Sequence, residues 1–438
     1  MKDYGALFKD KKITVLGLGL LGRGVGDVEF LAKCGAEVLV TDKKSESELA
    51  ESVNKLKLFP SVTSKLGGHD KKDFTNCDMV IKAAGVPLNS PEIATARNAG
   101  IQVAMSTALF AKYAMEAGAK IVGVTGTRGK STISHMLHYL LIRANKQVVL
   151  GGNVRGVSTL AMLPDVQKGD IAVLELDSWQ LQGFGDLKIS PSISIFTNLL
   201  PDHQNYYKNM DEYFSDKANI FRFQRKGDSL FVGGGVLERV QSEKPPVEAV
   251  VPPTIPEEWK LQILGEHNRE NASFAVSALR SLGISESEIH NGVESFEGVE
   301  GRLQLIGETK GVKIYNDNNA TTPEATIAAL QALKTDNKKV TLIIGGSDKG
   351  LDMSALIKEI SASCKRVLFL AGTGTKRMEK DFIGAPVFEN LELALSSAMH
   401  AAEYGDIILF SPAFASFGMF RNEYERNDQF VRLVQKYL

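Results

Sequence analysis

Cysteine is scarce in this sequence. Its 438 residues include only three cysteines, Cys34, Cys77 and Cys364, which lie far apart. Their odd number and wide spacing argue against a disulfide framework and against a cysteine metal site. We therefore expect a protein of a reducing compartment, the cytoplasm.

Long apolar runs and an excess of one charge are also missing. No stretch approaches the roughly 18 apolar residues of a membrane-spanning helix, and residues Met1 to Lys12 lack the apolar core of a signal peptide. Lys and Arg number 51 against 52 Asp and Glu, so the formal net charge is −1. This balance gives no electrostatic footprint for nucleic acid. We expect a monomer without membrane insertion and without a nucleic-acid partner.

Three segments each begin with a short apolar run that ends in a glycine-rich turn: Ile13–Gly17, Ile121–Thr125 and Thr341–Gly346. Short β-branched runs of this kind are typical of buried parallel strands. Further apolar runs alternate with helical patterns, which indicates α/β layers. The length allows two or three domains at about 150 residues each. We predict an α/β fold of three domains: a Rossmann-like domain (1–104), a central P-loop domain with a parallel-rich sheet (105–299) and a second Rossmann-like domain (300–438).

The first glycine turn has the context of a nucleotide-binding site. Gly17, Gly19 and Gly22 follow a predicted strand and precede a predicted helix, and Asp42 ends the next strand. Glycines at such a turn let the backbone approach a phosphate at a helix N-terminus. The motif is weak by itself, and a tight strand–helix turn without a ligand is the alternative.

The second glycine turn is the stronger phosphate-binding motif. It reads Thr125-Gly-Thr-Arg-Gly-Lys-Ser-Thr132, one residue off the general P-loop pattern, which would place glycine at Val124. Backbone N–H groups and Lys130 are suited to hold ATP phosphates, and the Ser131 hydroxyl is suited to Mg²⁺. The alternative is a glycine-rich turn with a surface lysine.

Polar residues follow two further apolar runs. Glu175 comes directly after one run, and Asp202 and His203 come shortly after the next. A carboxylate at the end of a strand, in a domain with a P-loop, is well placed for Mg²⁺. A lone histidine is more often structural than a ligand. Lys217 lies in a predicted helix, and its local pattern is that of a solvated or salt-bridged lysine.

Together these motifs resemble those of the Mur ligases, over nearly the whole chain. The resemblance is carried by Gly17–Gly22, Ala84–Pro87, Thr125–Ser131, Gly151–Asn153, Glu175–Gln180, Gly265–Asn271, Gly345–Gly350 and Leu409–Phe417. It is greatest to members that add D-glutamate to UDP-N-acetylmuramoyl-L-alanine in peptidoglycan synthesis. It implies an ADP-forming ligase that uses ATP and Mg²⁺ and forms an acyl phosphate.

The resemblance also implies roles for individual residues. The UDP-linked substrate would be bound by Gly19, Leu20, Leu21, Asp42, Lys43, Gly85, Ser178 and Gln180. ATP would be bound by Gly126, Thr127, Arg128, Gly129, Lys130, Ser131, Thr132, Asn268, Asn271, Arg302 and Asp317. Magnesium would be held by Ser131, Asn153, Glu175, His203 and Lys217, the last as a carbamate formed with CO₂. The catalytic residues would be Lys130, His203 and Lys217. The incoming amino acid would be bound by Thr321, Lys349, Ser416 and Phe417.

Three stretches depart from the family's pattern. Asn-Asp-Ser-Lys-Ala-Thr-Asn reads Asn316-Asp-Asn-Asn-Ala-Thr-Thr322 and so lacks a lysine. Asp-His-x-Asp reads Asp202-His-Gln-Asn205, and Asn-Phe-Glu-x-Arg-Gly reads Asn422-Glu-Tyr-Glu-Arg-Asn427. Two of the three fall at the expected acceptor pocket. The identity and stereochemistry of the accepted amino acid are therefore left open.

Other functions also stay open at this point. A sibling ligase would keep the phosphate loop but accept another amino acid or a folate-type substrate, although the UDP pattern of the first segment counts against folate. A nicotinamide-dependent oxidoreductase would explain Gly17–Asp42 and leave Lys130, Glu175 and His203 without a role. A nucleotide-binding regulator would bind ATP and form no acyl phosphate.

Overall fold

The structure, a computed structural model, describes residues 4–19, 22–202, 206–335, 337 and 339–438. The chain divides into unit 1 (Met1–Thr254 with Asn271–Gly292) and unit 2 (Ile255–Glu270 with Val293–Leu438). Unit 1 contains two sheets and unit 2 contains one. The predicted α/β class with parallel-rich sheets is confirmed. The division at 1–104, 105–299 and 300–438 stays a prediction.

The first sheet of unit 1 is parallel and has the strand order β3-β2-β1-β4-β5. Its strands are β1 (Lys12–Leu16), β2 (Glu37–Asp42), β3 (Val62–Leu66), β4 (Met79–Lys82) and β5 (Gln102–Ala104). The helices of this part are α1 (Gly5–Phe8), α2 (Arg23–Lys33), α3 (Ala50–Leu56), α4 (Pro91–Asn98) and the 3-10 helix Lys71–Phe74. The strand order reverses between β1 and β4, which places a crevice at their carboxyl ends.

The second sheet of unit 1 is also parallel and has the order β11-β10-β9-β6-β8-β7. Its strands are β6 (Lys120–Thr125), β7 (Val148–Gly152), β8 (Ile171–Glu175), β9 (Ile193–Phe196), β10 (Ser229–Val232) and β11 (Ala249–Val250). The helices are α5 (Ser106–Glu116), the 3-10 helix Leu160–Asp165, α6 (Lys130–Arg143), α7 (Ser178–Leu187), α8 (Met210–Ala218), α9 (Gly234–Ser242), α10 (Glu266–Ser281) and α11 (Glu286–Glu294). The proline-rich stretch Lys244–Pro256, whose composition indicates a loop inside this segment rather than a linker, also contains the two-residue strand β11, which pairs with β10.

The sheet of unit 2 has the order β12-β13-β17-β14-β15-β16. Its strands are β12 (Gln304–Thr309), β13 (Val312–Asn316), β14 (Val340–Gly345), β15 (Cys364–Leu370), β16 (Val387–Phe388) and β17 (Ile407–Phe410). The helices are α12 (Pro323–Ala332), α13 (Ser354–Ser363), α14 (Thr373–Met378), the 3-10 helix Glu379–Asp381, α15 (Leu391–His400) and α16 (Glu423–Val434). Only the edge strand β12 is antiparallel among the described pairs, because a tight turn at Lys310 and Gly311 joins it to β13.

Burial follows from this architecture. Strands β4, β6, β8 and β14 are buried along nearly their whole length, as expected for parallel strands with helices on both faces. Among the described residues, no helix combines the length and apolar character needed to cross a membrane. The predicted site residues follow the carboxyl ends of the strands, where parallel α/β sheets commonly bind their ligands.

Candidate functional site

The first glycine turn has the backbone geometry that the sequence predicts. Gly17 and Gly19 have φ values of +86° and +70°, and Gly22 caps α2 at φ +79°. A Cβ on Gly24 would overlap the Leu18 carbonyl, so α2 packs closely against the turn. These positions require glycine because L side chains rarely adopt such angles. Leu20 and Leu21, predicted to bind the UDP-linked substrate, lie outside the described residues.

Asp42 shapes this turn from the end of β2. Its Oδ2 accepts a hydrogen bond from the Leu18 N–H at 2.8 Å, and its Oδ1 accepts one from the Lys44 N–H at 2.9 Å. The neighbouring Lys43 lies 3.7 Å from the carboxylate of Glu92. A contact between Asp42 or Lys43 and a substrate stays a prediction.

A cavity of about 220 Å³ lies beside the turn, at the carboxyl ends of β1 and β4. Three predicted substrate residues, Gly19, Gly85 and Gln180, line it. Gln180 is fixed by a capping box with Asp177 at the start of α7, and its Nε2 donates to Thr107 Oγ1 at 3.2 Å. Ser178 is the first residue of α7 and is buried, but it is not among the residues that line the cavity. A preformed cavity thus lies beside the first glycine turn and is lined by residues from both sheets of unit 1.

The second glycine turn connects β6 to α6. Gly126 has a φ of +141°, and a Cβ there would overlap the Thr197 hydroxyl. Gly129 caps α6 at φ +85°. Asn198 fixes the loop from the end of β9, since its Oδ1 accepts from the Arg128 N–H at 2.9 Å and its carbonyl accepts from the Thr127 N–H at 3.0 Å. The loop is therefore held in shape by the strand next to it.

Two lysines converge on one carbonyl of this loop. Lys130 Nζ donates to the carbonyls of Gly126 and Thr127 at 2.9 and 3.1 Å. Lys217 Nζ, from α8, donates to the same Gly126 carbonyl at 2.9 Å and lies 3.3 Å from Thr125 Oγ1. Ser131 and Thr132 follow Lys130 in the first turn of α6 and are buried. The structure thus brings together the two lysines that the sequence analysis predicts to be catalytic.

Lys217 is not the solvated lysine that its local pattern indicates. Its side chain is 1% exposed, and its ammonium lies 4.8 Å from the centre of the Tyr213 ring. Burial holds the pKa of Lys217 well below its ordinary value of 10.5, and the charge of Lys130 lowers it further. The carboxylates of Asp177, Asp202 and Asp216 act in the opposite direction. Lys217 therefore tends toward a neutral, nucleophilic amine.

Three neighbouring strands present the oxygen ligands predicted for a metal. The phosphate loop with Ser131 follows β6, Glu175 ends β8, and Asn153 follows β7. The Asn153 N–H donates to the Glu175 carbonyl at 2.7 Å, and its Nδ2 lies 3.4 Å from Glu175 Oε1. Hydroxyl, carboxylate and amide oxygens are hard ligands that suit Mg²⁺. His203 lies outside the described residues, so its predicted roles stay predictions.

The described donors at these strand ends include one carboxylate, that of Glu175. Within the described part of the chain, no three His, Cys, Asp or Glu side chains cluster as a metal site. Mg²⁺ is commonly held by one or two carboxylates together with substrate phosphates and water. The oxygen donors of Ser131, Asn153 and Glu175 fit a magnesium ion shared with the phosphates of a nucleotide.

Gly152 lets the chain pass close to Glu175 just before Asn153, so its replacement should destabilise the fold. Gly152 has a φ of +88°, and a Cβ would overlap the Glu175 carbonyl. We expect Gly152→Ala to lower the free energy of unfolding by about 3 kcal/mol, as combined backbone strain and overpacking do. Thermal denaturation of the full chain measures it. Gly156→Ala is the control, because Gly156 has a φ of +68° and nothing within 4 Å of its Cβ position. Equal losses in both variants would contradict the prediction.

Asn268 and Asn271 both lie on α10, and the boundary between the two units falls between them. Asn271 faces the phosphate loop within unit 1, since a Cβ on Gly129 would lie 2.5 Å from Asn271 Oδ1. Asn268 is buried in unit 2 and donates from Nδ2 to the Leu264 carbonyl at 2.8 Å. The structure therefore places Asn271 with the other predicted ATP residues, and the role of Asn268 stays a prediction.

Asp317 lies buried in unit 2 after β13, and Arg302 lies close to it in the same unit. Asp317 Oδ1 accepts from the Leu303 N–H at 3.0 Å, and Oδ2 accepts from Ser411 Oγ at 2.8 Å. Burial raises the pKa of Asp317 from 3.8 to about 7, although both hydrogen bonds and the charge of Arg302 oppose the rise. Contacts of either residue with ATP stay predictions.

The raised pKa of Asp317 predicts a loss of stability as the pH rises. The unfolded chain releases this proton near pH 4 and the folded chain near pH 7, so stability falls across that window. Asp317→Asn removes the ionisation and keeps the hydrogen bond from the Leu303 N–H, while its Nδ2 donates to Ser411 Oγ, whose own hydroxyl then donates to Thr326 Oγ1. We therefore expect this variant to be more stable than the original chain at pH 8 by up to about 4 kcal/mol. The difference should vanish below pH 4. Denaturant midpoints at both pH values measure it, with the exposed Asp381→Asn as control. A difference that is independent of pH would contradict the prediction.

The predicted amino-acid residues follow three adjacent strands of the unit 2 sheet. Thr321 follows β13, Lys349 follows β14, and Ser416 and Phe417 follow β17. Lys349 Nζ donates to Thr321 Oγ1 at 3.0 Å. Ser347 connects the last two loops, since its hydroxyl donates to the Phe417 carbonyl. Ser416 is buried, whereas Phe417 is exposed. A cation next to a hydroxyl suits a carboxylate ligand.

Comparison with known proteins gives the family. Three family descriptions match: "Mur ligase MurD-like, N-terminal domain" over residues 11–105, "Mur ligase middle domain" over 124–235 and "Mur ligase, glutamate ligase domain" over 301–414. A protein of Roseiflexus sp. (strain RS-1), named UDP-N-acetylmuramoylalanine–D-glutamate ligase, is 34% identical, covering 98% of this chain and 99% of its own. This chain belongs to the Mur ligase family.

Other comparisons agree with the assignment to the Mur ligases. A protein of Borreliella burgdorferi (strain ZS7) with the same name is 34% identical, covering 97% of this chain and 98% of its own. The crystal structure of the UDP-N-acetylmuramate-alanine ligase of Thermotoga maritima has a TM-score of 0.62 at 19% identity, covering 97% and 99% of the two chains, and so shares the fold. Mur ligases are ATP-dependent, in agreement with the phosphate loop. The oxidoreductase alternative is therefore set aside.

The departures from the Mur ligase pattern in unit 2 meet in one buried cluster. Arg426, from α16, is 1% exposed and donates to Asn318 Oδ1 at 2.8 Å and to the Phe414 carbonyl at 3.2 Å. Asn427 Oδ1 accepts from Asn316 Nδ2 at 2.8 Å. Asn319, which replaces the family's lysine, donates from Nδ2 to the Glu300 carbonyl at 3.2 Å. Arg426 and the altered Asn318 thus link the loop that follows β13 and carries Asp317 to the loop that follows β17, within unit 2.

Two residues of this Mur ligase site are absent from the sequence-based predictions. Asn198 holds the phosphate loop, and its place directly after an apolar run is a signal that could have found it. Arg23 donates from Nη1 to Asn153 Oδ1 at 3.0 Å. Its signal is a cation directly after a glycine turn, but the partner is 130 residues away in the chain.

Proposed function

We propose that this Mur ligase joins the amino group of D-glutamate to the carboxylate of UDP-N-acetylmuramoyl-L-alanine, with conversion of ATP to ADP and phosphate. The observation that carries the proposal is the convergence of Lys130 and Lys217 on the Gly126 carbonyl, next to the strand ends that bear Glu175 and Asn153. The relatives named for this reaction match nearly the whole chain. The enzyme works as a monomer in the cytoplasm, where its reaction is one step in the synthesis of the peptidoglycan precursor.

The reaction proceeds in two steps. The substrate carboxylate attacks the γ-phosphorus of ATP, so that a new P–O bond forms, the bond to the β-phosphate bridge breaks, and ADP leaves. The amine of the amino acid then attacks the acyl carbon, and the C–O bond breaks with loss of phosphate and a proton. Lys130 exchanges the loop carbonyls for phosphate oxygens and neutralises charge as it moves to the transferring group.

Magnesium and a modified Lys217 complete the phosphoryl-transfer site. Ser131, Glu175 and Asn153 would hold Mg²⁺, which supplies charge neutralisation for the β- and γ-phosphates when bound. A neutral Lys217 amine adds to CO₂, forming an N–C bond and releasing a proton. The resulting carbamate is an anion, so the neutral amine beside Lys130 becomes a counter-charge for the Lys130 ammonium.

The acceptor amino acid binds in unit 2. Lys349 and Thr321 hold its side-chain carboxylate, and the buried Ser416 and exposed Phe417 complete the pocket. A sibling ligase with another acceptor is the second candidate. The observation in its favour is Asn319, which stands where the family has a lysine and bonds the Glu300 carbonyl instead.

Product formation with a panel of amino acids tests the proposal. The full chain is incubated with UDP-N-acetylmuramoyl-L-alanine, ATP and Mg²⁺ and with D- or L-glutamate, D- or L-aspartate, L-lysine or glycine, and products are read by mass spectrometry. The expected result is one product, the D-glutamate adduct, with one ADP per product. An adduct with a different amino acid would show that this amino acid, and not D-glutamate, is the acceptor. The absence of any adduct from folded protein would overturn the proposal.

A further inference from the structure

Arg23 lies beside the first glycine turn, next to the loop that follows β7 in the second sheet of unit 1. It is the first residue of α2, directly after Gly22, and it lines the 220 Å³ cavity together with Gly17 and Gly19. The cavity lies at the carboxyl ends of β1 and β4, where the strand order reverses. A guanidinium in this position can approach a phosphate that rests on the turn.

The guanidinium of Arg23 is held by a neutral partner. Its Nη1 donates a hydrogen bond of 3.0 Å to Asn153 Oδ1. Among the described residues Arg23 makes no ion pair with a carboxylate. Asp27 lies one turn further along α2 and faces the same cavity, but its Oδ1 accepts from Ser158 Oγ at 2.6 Å. The charge of Arg23 acts on the buried Asp27 carboxylate without an ion pair, and Arg23 itself is only partly buried, so its guanidinium is available for an anionic ligand.

Asn153 connects Arg23 to the other half of the site. The Asn153 N–H donates to the Glu175 carbonyl at 2.7 Å, so its backbone is fixed to the end of β8. The Asn153 Oδ1 that accepts from Arg23 is also the atom that a magnesium ion would use. A magnesium ion on that oxygen would take the acceptor used by the guanidinium and repel its charge, which would favour release of the guanidinium toward the cavity.

We propose that Arg23 binds the diphosphate of the UDP-linked substrate, and that its exchange between Asn153 and this diphosphate couples the binding of the two substrates. The inference rests on the proposed function and adds a residue that this function does not require. Each ligand favours the same position of Arg23, so each raises the affinity for the other by the same factor. A planar guanidinium suits the paired oxygens of a diphosphate.

Binding calorimetry with the full chain tests this coupling. The probes are uridine, UDP and UDP-N-acetylmuramoyl-L-alanine, each titrated with and without Mg²⁺ and ADP. Arg23→Met is expected to weaken UDP binding by about 10- to 100-fold, as loss of a charge-assisted hydrogen-bonded pair does. Uridine binding should not change, and the gain in affinity from Mg²⁺ and ADP should disappear. Arg23→Lys keeps the charge and should recover part of the UDP affinity.

Lys33 on the same helix provides a matched control. Lys33→Met removes an exposed cation from the last turn of the same helix and should leave all affinities unchanged. Equal losses for UDP and uridine in Arg23→Met, unchanged UDP affinity, or persistent coupling would each overturn the inference. Failure of the original chain to bind UDP at all would contradict the proposed function instead.

Discussion

Replacing Lys130 with methionine is expected to lower the rate of ADP formation by about 10³-fold, because a preorganised cation at the transferring phosphoryl group is lost. Lys130 Nζ lies 2.9 Å from the Gly126 carbonyl, inside the loop that would hold the phosphates. Methionine has a similar length and keeps the apolar stem, so the fold should persist. A coupled assay for ADP, with the UDP-linked substrate and D-glutamate present, measures the effect.

The control for this prediction is Lys120→Met. Lys120 is exposed at the amino end of β6, the strand whose carboxyl end leads into the phosphate loop. Its replacement removes the same charge from the same strand and should change the rate less than about twofold, as surface substitutions do. A Lys130→Met variant with near-normal turnover would mean that the phosphate loop does not bind the reacting nucleotide.

Replacing Lys217 with alanine is expected to lower turnover by about 10³-fold, a loss that small carboxylates such as acetate should partly reverse. The deletion leaves space at the Gly126 carbonyl, where an added carboxylate can stand in for the carbamate. Burial lowers the pKa of Lys217, and carbamylation uses the neutral amine and releases a proton, so loading should rise with pH. ¹³C NMR of the original chain in labelled bicarbonate should show one protein carbamate.

Lys226→Ala is the control for the Lys217 substitution, since Lys226 is exposed in a turn of the same unit. It should need no acetate and keep the carbamate signal. Full activity of Lys217→Ala would contradict the role given to Lys217. So would the absence of a carbamate signal from the original chain, or a signal that persists in Lys217→Ala.

Local patterns predict the strands and glycine turns because these features depend on neighbours in the chain. The runs at Ile13, Ile121 and Thr341 all lie in buried parallel strands, and Gly22 and Gly129 both cap helices in the left-handed conformation. The positions after the strands follow from the same logic. Parallel strands end at one edge of a sheet, so Asn153, Glu175 and the phosphate loop meet there.

Partners that are distant in the chain lie beyond such patterns. Lys217 has the local pattern of a surface lysine, yet α8 packs it beneath the phosphate loop, 91 residues from Gly126. Asp42 is a typical ligand-binding position, yet its oxygens hold the Leu18 and Lys44 amides. The bracing of Asn318 by Arg426 likewise depends on α16, far along the chain. These contacts follow from tertiary packing.

The central claim is that the substrate carboxylate becomes an acyl phosphate, and transfer of an oxygen isotope tests it most directly. The alanine carboxylate of UDP-N-acetylmuramoyl-L-alanine is labelled with ¹⁸O and converted with ATP and D-glutamate, and the released phosphate is examined by mass spectrometry. The predicted result is one ¹⁸O atom in each phosphate, because the C–O bond of the acyl phosphate breaks when the amine attacks. Unlabelled phosphate, with product formed normally, would contradict the acyl phosphate and the site assembled around Lys130.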